Sequence, residues 1–338
     1  MARPEAVAAG SRITRRLRIA ALAVAAVFIG FGAWMVTHPS NHARTLLVGV
    51  DDDTLKWTPF PLTVVRRQER LDADAVRIWV PWHGETNPTA VRRVELSRAE
   101  TAARRTTVVL AVFGFGASTP TAAWAQRRFC GYARAALELV PDARAIVVWN
   151  EANSRRYWRG TPAEYESLLA RCYDLLHSTR VQVLDSTASA HAPVKFLDAL
   201  AAAYRASGRT QPLVDGFGHN PYPLTAGEAP TALHRGDFLG EADYPRLVTA
   251  LRAFGRTPAI WYLEDGFQTD AISPAQQARD VSAAIQLAAC QPLVHAFFNF
   301  ELVDERRAAG WQSGLIARGG RAKPAATAFA RAPRRCRT

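Results

Sequence analysis

This 338-residue sequence is most informative first for what it lacks. No Cys-x-x-Cys pair occurs among its four cysteines, which argues against a zinc site. Its eight histidines are scattered, and none forms the His-x-His set that a metal-dependent barrel hydrolase needs on its first strand. No Gly-rich turn follows the first apolar run. Val50 leads instead into Asp51-Asp52-Asp53, which cannot cradle a pyrophosphate, so a doubly wound dinucleotide-binding sheet is disfavoured. A basic surplus is also missing from the body of the chain. The formal net charge is +12, but residues 1–18 supply +4 and residues 318–338 supply +7. The stretch between them holds 30 basic and 29 acidic residues, a net of +1. A nucleic-acid binder would place its surplus on a folded face, so no nucleic-acid partner is expected and the two tails read as solvated or membrane-proximal.

Only one long hydrophobic run is present. Residues 19–36, Ile19 to Val36, are 18 uninterrupted apolar or small residues behind Arg12, Arg15, Arg16 and Arg18. A run of this length just spans a bilayer, and its basic flank should stay cytoplasmic. The expected order is a basic n-region (1–18), a signal anchor or cleaved signal peptide (19–36), a linker (37–44), a folded domain (45–332) and a basic tail (333–338). The folded part would then be exported, either tethered to the cell membrane or secreted. An even cysteine count in an exported chain suggests disulfides.

From residue 46 a pattern repeats. Short runs rich in β-branched residues alternate with longer Ala/Leu/Arg stretches at helical spacing. The candidate strands are Leu46–Val50, Ala75–Val80, Thr107–Val112, Ala145–Trp149, Val181–Asp185, Leu213–Phe217, Ala259–Leu263 and Val294–Phe298. Alternating strands and helices imply right-handed parallel βαβ units. Eight of them in roughly 250 residues imply a single (β/α)8 (TIM) barrel. Among the helices, one is expected from Pro120 to Leu139. Thr161-Pro162-Ala163-Glu164 and Ser273-Pro274 read as helix starts. Residues 223–242 form a long polar connection that could cover a substrate. The barrel puts Cys130 and Cys172 on successive outer helices, Cys290 on the seventh and Cys336 just past the eighth. Of the three possible pairings, Cys130–Cys172 and Cys290–Cys336 are therefore preferred.

In a parallel barrel, chemistry gathers at the C-terminal strand ends. The fourth strand ends abruptly in Trp149-Asn150-Glu151-Ala152-Asn153, and the seventh runs Trp261-Tyr262-Leu263-Glu264-Asp265-Gly266. Apolar strands that end in glutamate are odd for packing alone. Two such residues three βα units apart would face one another across the mouth, the arrangement that glycoside hydrolysis uses. The acidic turn Asp51-Asp52-Asp53 could bind sugar hydroxyls or a cation, but reads better as a solvated turn.

Trp-Asn-Glu-x-Asn and Trp-x-x-Glu-x-Gly, in this order and with their glutamates 113 residues apart, resemble the acid/base and nucleophile motifs of the retaining (β/α)8 glycoside hydrolases of clan A. The resemblance covers about residues 46–330. It implies that Glu151 is the acid/base and Glu264 the nucleophile, and that Asn150 bonds the sugar 2-hydroxyl. It further implies that Arg77 sits beside the nucleophile, and that His219 and Tyr222 orient nucleophile and sugar. Trp79, Trp82, Trp149, Phe298, Phe300 and Trp311 fall near strand ends, and Trp311 is the preferred sugar platform, with Trp79 a further contact. The chain departs from the clan at Ala152, where Pro is frequent, at Leu263, where a small hydroxyl residue is frequent, and at Phe298-Asn299-Phe300-Glu301, where a Trp is usual. The implied protein is a monomer that acts on an oligo- or polysaccharide without cofactor or metal. The alternatives are a non-catalytic carbohydrate-binding barrel and a transglycosidase using the same two glutamates.

Overall fold

The computed structural model describes residues 45–255, 259–306 and 310–336. Eight parallel strands close on themselves: β1 (Leu47–Asp51), β2 (Ala75–Pro81), β3 (Thr107–Phe113), β4 (Ala145–Val148), β5 (Gln182–Asp185), β6 (Gly216–Asn220), β7 (Ala259–Asp265) and β8 (Val294–Asn299). β1 pairs with both β2 and β8, and β5 meets β6 at Leu184 and Gly216. The (β/α)8 barrel is thereby present. A two-residue strand, Ala188–Ser189, adds to the far end of β6.

The helices lie between strands as expected: α1 (Thr54–Trp57), α2 (Pro61–Arg70), α3 (Ala90–Ala103), α4 (Ala123–Leu139), α5 (Pro162–Leu176), α6 (Pro193–Ala206), α7 (Tyr244–Leu251), α8 (Pro274–Ala289) and α9 (Pro324–Arg331). Local chemistry sets their starts. Thr161 and Glu164 form a reciprocal capping box at α5, and Ser273 accepts from the Gln276 N–H at α8. The helix expected from Pro120 begins instead at Ala123.

Seven strands fall within about two residues of the expected limits. The sixth was expected over Leu213–Phe217 and occupies Gly216–Asn220. Leu213 and Val214 are buried apolar residues ahead of the strand, whereas the strand itself is Gly-Phe-Gly-His-Asn. Glycine has low strand propensity, but here the packing demands it. A Cβ on Gly218 would stand 2.2 Å from the Asp185 carbonyl oxygen. The Asp185 side chain accepts from the Gly218 N–H at 2.7 Å and so supplements the short β5–β6 ladder.

Cys130 on α4 is bonded to Cys172 on α5, and Cys290, at the end of α8, to Cys336 beyond α9. Both preferred pairings are present. Beyond α9 the chain is tied back to the barrel: Leu46 N–H donates to the Arg334 carbonyl, and Arg334 pairs with Asp74 at 2.6 Å. Lys323 is likewise engaged, with Asp304 at 2.7 Å. Among the described residues no helix is long and apolar enough to cross a membrane. The n-region, apolar run and linker expected over residues 1–44 lie outside the described residues.

Candidate active site

The C-terminal ends of the strands converge on one group of charges. Arg77, on β2, is buried and reaches three partners. Its Nη1 lies 2.7 Å from Asp51 Oδ1 and 2.9 Å from Glu264 Oε1, and its Nη2 donates to Asn150 Oδ1 at 3.2 Å. The other carboxylate oxygen of Glu264 accepts the Tyr222 hydroxyl at 3.1 Å. Four sequence-predicted residues, Glu264, Arg77, Asn150 and Tyr222, are thus joined in one network. Burial foremost, then the Glu264 charge, keeps the Tyr222 hydroxyl protonated well above its ordinary range.

Glu151 stands opposite in character. It makes no ion pair among the described residues, and its Oε1 accepts from Asn220 Nδ2 at 3.0 Å. Burial, and next the negative charge of Glu264, push its pKa up to about 7. The backbone here is unusual. Trp149 and Glu151 have φ of +70° and +38°, a left-handed conformation that non-glycine residues rarely adopt. Such residues cost about 1–3 kcal/mol each, and neighbouring strands hold them. Trp149 N–H donates to Val112 O, Glu151 N–H to Ser186 Oγ, and the N–H groups of Ala152 and Asn153 to the carbonyls of Ser186 and Thr187. The strained turn aims Glu151 inward as β4 ends.

The remaining predicted residues lie around this network. His219 is buried, bonds the Leu239 carbonyl through Nε2 at 3.0 Å, and faces Tyr262 edge-on. Trp311 packs on Tyr222 and Phe300, with centroids 5.2 Å from each. Trp79 stacks on Phe113 at 5.3 Å and donates through Nε1 to the Phe113 carbonyl. Trp82, Trp149 and Phe298 are core residues at 2%, 0% and 0% exposure and offer no face to a ligand.

The expectation of a solvated acidic turn fails at Asp51 and Asp52, which are buried. Asp51 pairs with Arg77. Asp52 accepts from the Thr54 N–H and hydroxyl, and burial lifts its pKa to about 6. Asp53 pairs with Lys56 at 2.8 Å and takes the Trp79 N–H. Asp51 and Asp53 each meet a partner on β2, 26 residues away, which composition cannot show, whereas Asp52 is satisfied locally by Thr54.

Three further residues were not singled out by the sequence. Asn220 holds Glu151. Tyr157 feels both glutamate charges, and with burial as the larger cause its pKa rises to about 12. Glu301 follows β8 beside Asp51, and burial followed by its acidic neighbours takes it to about 9. The run Phe217-Gly218-His219-Asn220-Pro221-Tyr222 was the available signal for Asn220, because it places Asn at the last strand position.

No protein-family model matches the chain, and no curated protein matches it. Solved structures do. A family 39 glycoside hydrolase from Bacteroides cellulosilyticus WH2 superimposes with a TM-score of 0.65 at 15% identity, covering 86% of this chain and 64% of that one. The chain therefore spans less than two thirds of that protein's length. GH5_18 from Streptomyces cattleya, solved in complex with GlcNAc, gives 0.62 at 20% identity, covering 86% and 80%. A study of two fungal β-1,4-galactanases provides a third match, 0.61 at 14% identity, covering 85% and 100%. All three are glycoside hydrolases, the kind of protein that the two glutamate motifs resemble, and at these identities the likeness establishes the (β/α)8 barrel that they share with this chain.

Proposed function

We propose that this chain is a retaining glycoside hydrolase in which Glu151 is the acid/base and Glu264 the nucleophile. One observation carries the reading. Glu151, just past the end of β4, feels the charge of Glu264 on β7, yet the two glutamates sit in opposite settings. Glu264 is fixed in an ion pair with Arg77 and by the Tyr222 hydroxyl, whereas Glu151 has only a neutral amide donor and a pKa near 7. A difference in environment between two carboxyl groups is how acid and nucleophile are told apart.

In the first step protonated Glu151 gives its proton to the glycosidic oxygen. The bond from that oxygen to the anomeric carbon breaks as a Glu264 oxygen bonds to the carbon, and the shortened glycan leaves. In the second step water attacks the same carbon, Glu151 takes the water's proton, and Glu264 leaves as a carboxylate. Such a double displacement needs the two carboxyl groups about 5–5.5 Å apart. Asn150 would donate from its amide to the sugar 2-hydroxyl while its oxygen accepts from Arg77 and Ser186. Trp311, seated on Tyr222, would stack under the retained sugar. No cofactor enters either step.

The two disulfides fit an oxidising compartment, and the apolar run 19–36 fits export as an anchor or signal. The substrate would then be an extracellular or cell-envelope glycan. The test is turnover of aryl glycosides by Glu151→Gln and Glu264→Gln. Each should lose nearly all activity, and azide should rescue Glu264→Ala by forming a glycosyl azide of inverted configuration. Full activity in either single variant would refute the assignment.

A further inference from the structure

Resting on that assignment of Glu151 and Glu264, we propose that Arg156, in the loop between β4 and α5, binds an acidic group on the leaving part of the substrate. The leaving part must lie beside the acid that protonates it, so side chains packed around Glu151 are the ones that read it. Arg156 is five residues beyond Glu151 and close enough for its charge to act on that carboxyl group.

The loop Ser154–Gly160 holds three arginines, Arg155, Arg156 and Arg159, in a chain whose central stretch is nearly neutral. All three are exposed, and among the described residues none makes an ion pair. The loop is nonetheless fixed. Tyr157 and Trp158 N–H groups donate to the Ser154 carbonyl, Trp149 Nε1 to the Tyr157 carbonyl, and Gly116 N–H to the Arg156 carbonyl. The Arg156 guanidinium lies over two rings, 5.9 Å from the Phe115 centroid and 5.7 Å from that of Tyr157. Those rings stack on one another at 5.6 Å, and Phe115 is 40% exposed. Tyr157 is the ring that feels both glutamates. The wall therefore runs from the carboxylate pair outward to an unpaired guanidinium held by stacking. A planar fork of donors fixed in this way suits an anionic oxygen group, a carboxylate or a sulfate ester, on a sugar that rests against Phe115. Ordering the side chain beforehand lowers the cost of binding.

The test is calorimetric binding, which does not depend on turnover. The probes are tetrasaccharides of glucuronate, galacturonate, mannuronate and guluronate, each beside its carboxyl-reduced neutral counterpart. Sulfated and unsulfated neutral tetrasaccharides form a second arm. At least one acidic member should bind about 10-fold or more tightly than its neutral partner, with the margin shrinking as salt rises. Arg156→Ala should erase the margin and Arg156→Lys should keep part of it. Preference in the first arm identifies a carboxylate and in the second a sulfate. No acidic member binding better than its neutral partner overturns the proposal, as does a margin that survives in Arg156→Ala with an unchanged melting temperature. If the margin holds while no glycoside is turned over, the assignment of the glutamates fails and the binding inference stands.

Discussion

Arg77 and Glu264 form an ion pair of 2.9 Å in which the side chains are only 4% and 11% exposed. The same guanidinium holds Asp51, so removing it strands two buried carboxyl groups. Breaking a buried pair from one side costs about 3–5 kcal/mol. Arg77→Ala is expected to lose stability of about that size in urea unfolding and to lose activity. Arg77→Lys keeps the charge but cannot reach Asp51, Glu264 and Asn150 together, and is expected to recover stability more than kcat.

On the proposed assignment, the basic limb of the pH profile should belong to Glu151. Its pKa stands at about 7 in the free protein, and only the protonated form can give a proton to the leaving oxygen. The quantity kcat/KM for an unactivated glycan should fall above about pH 7. Substrates whose leaving groups depart without a proton should show a weaker fall. In Glu151→Gln the limb should vanish along with about 10²–10⁴-fold of the rate on unactivated substrates. A limb persisting at the same pH in that variant contradicts the assignment.

Stability should fall as pH rises through the neutral range. Asp265 is buried beside Glu264 and its pKa is lifted to about 8, from an ordinary 3.8, chiefly by desolvation. A raised carboxyl pKa means that the fold holds a proton that the unfolded chain has released. The contribution is full below about pH 4 and is lost as pH climbs to about 8. Asp265→Asn keeps an acceptor for the Gly266 N–H at 2.8 Å and never ionises. Its melting temperature should depend less on pH between 4 and 8 and exceed that of the parent at pH 9. Parallel melting curves for the two proteins across that range contradict this account.

The disulfides should contribute unequally to local order. Cys130–Cys172 joins two packed helices, whereas Cys290–Cys336 fastens the chain beyond α9, which already meets Leu46 and Asp74. Loops of 42 and 46 residues predict about 4 kcal/mol each on the chain-entropy model, with measured values of about 2–4. Cys130→Ala/Cys172→Ala should lower the global melting temperature. Cys290→Ser/Cys336→Ser should in addition speed amide exchange of Leu46, whose N–H is bonded to Arg334. Unchanged exchange there would show that the bridge does not secure the terminal segment.

The sequence showed the barrel because β-branched runs alternate with capped helices at a steady interval. It misplaced β6, because that strand is built from glycines whose reason lies in β5 and β7, remote in sequence. Glu151 and Glu264 were legible as acids at the ends of apolar strands. Asp51 was not, because the cation that buries it, Arg77, sits 26 residues away and meets it through strand register. Asn220 and Tyr157 were hidden for the same reason: each is defined by a partner on another strand end. Aromatic residues were the least legible, since Trp82 and Trp149 in the core carry the same letter as the half-buried Trp79 and Trp311.

The most direct measurement is covalent trapping. A panel of activated 2-deoxy-2-fluoro glycosides slows breakdown of the glycosyl-enzyme, so intact mass and peptide mapping can locate the ester. The account predicts one added sugar on the peptide containing Glu264, absent in Glu264→Gln. A label on another residue, or a first product whose anomeric configuration is inverted in proton NMR, would contradict it.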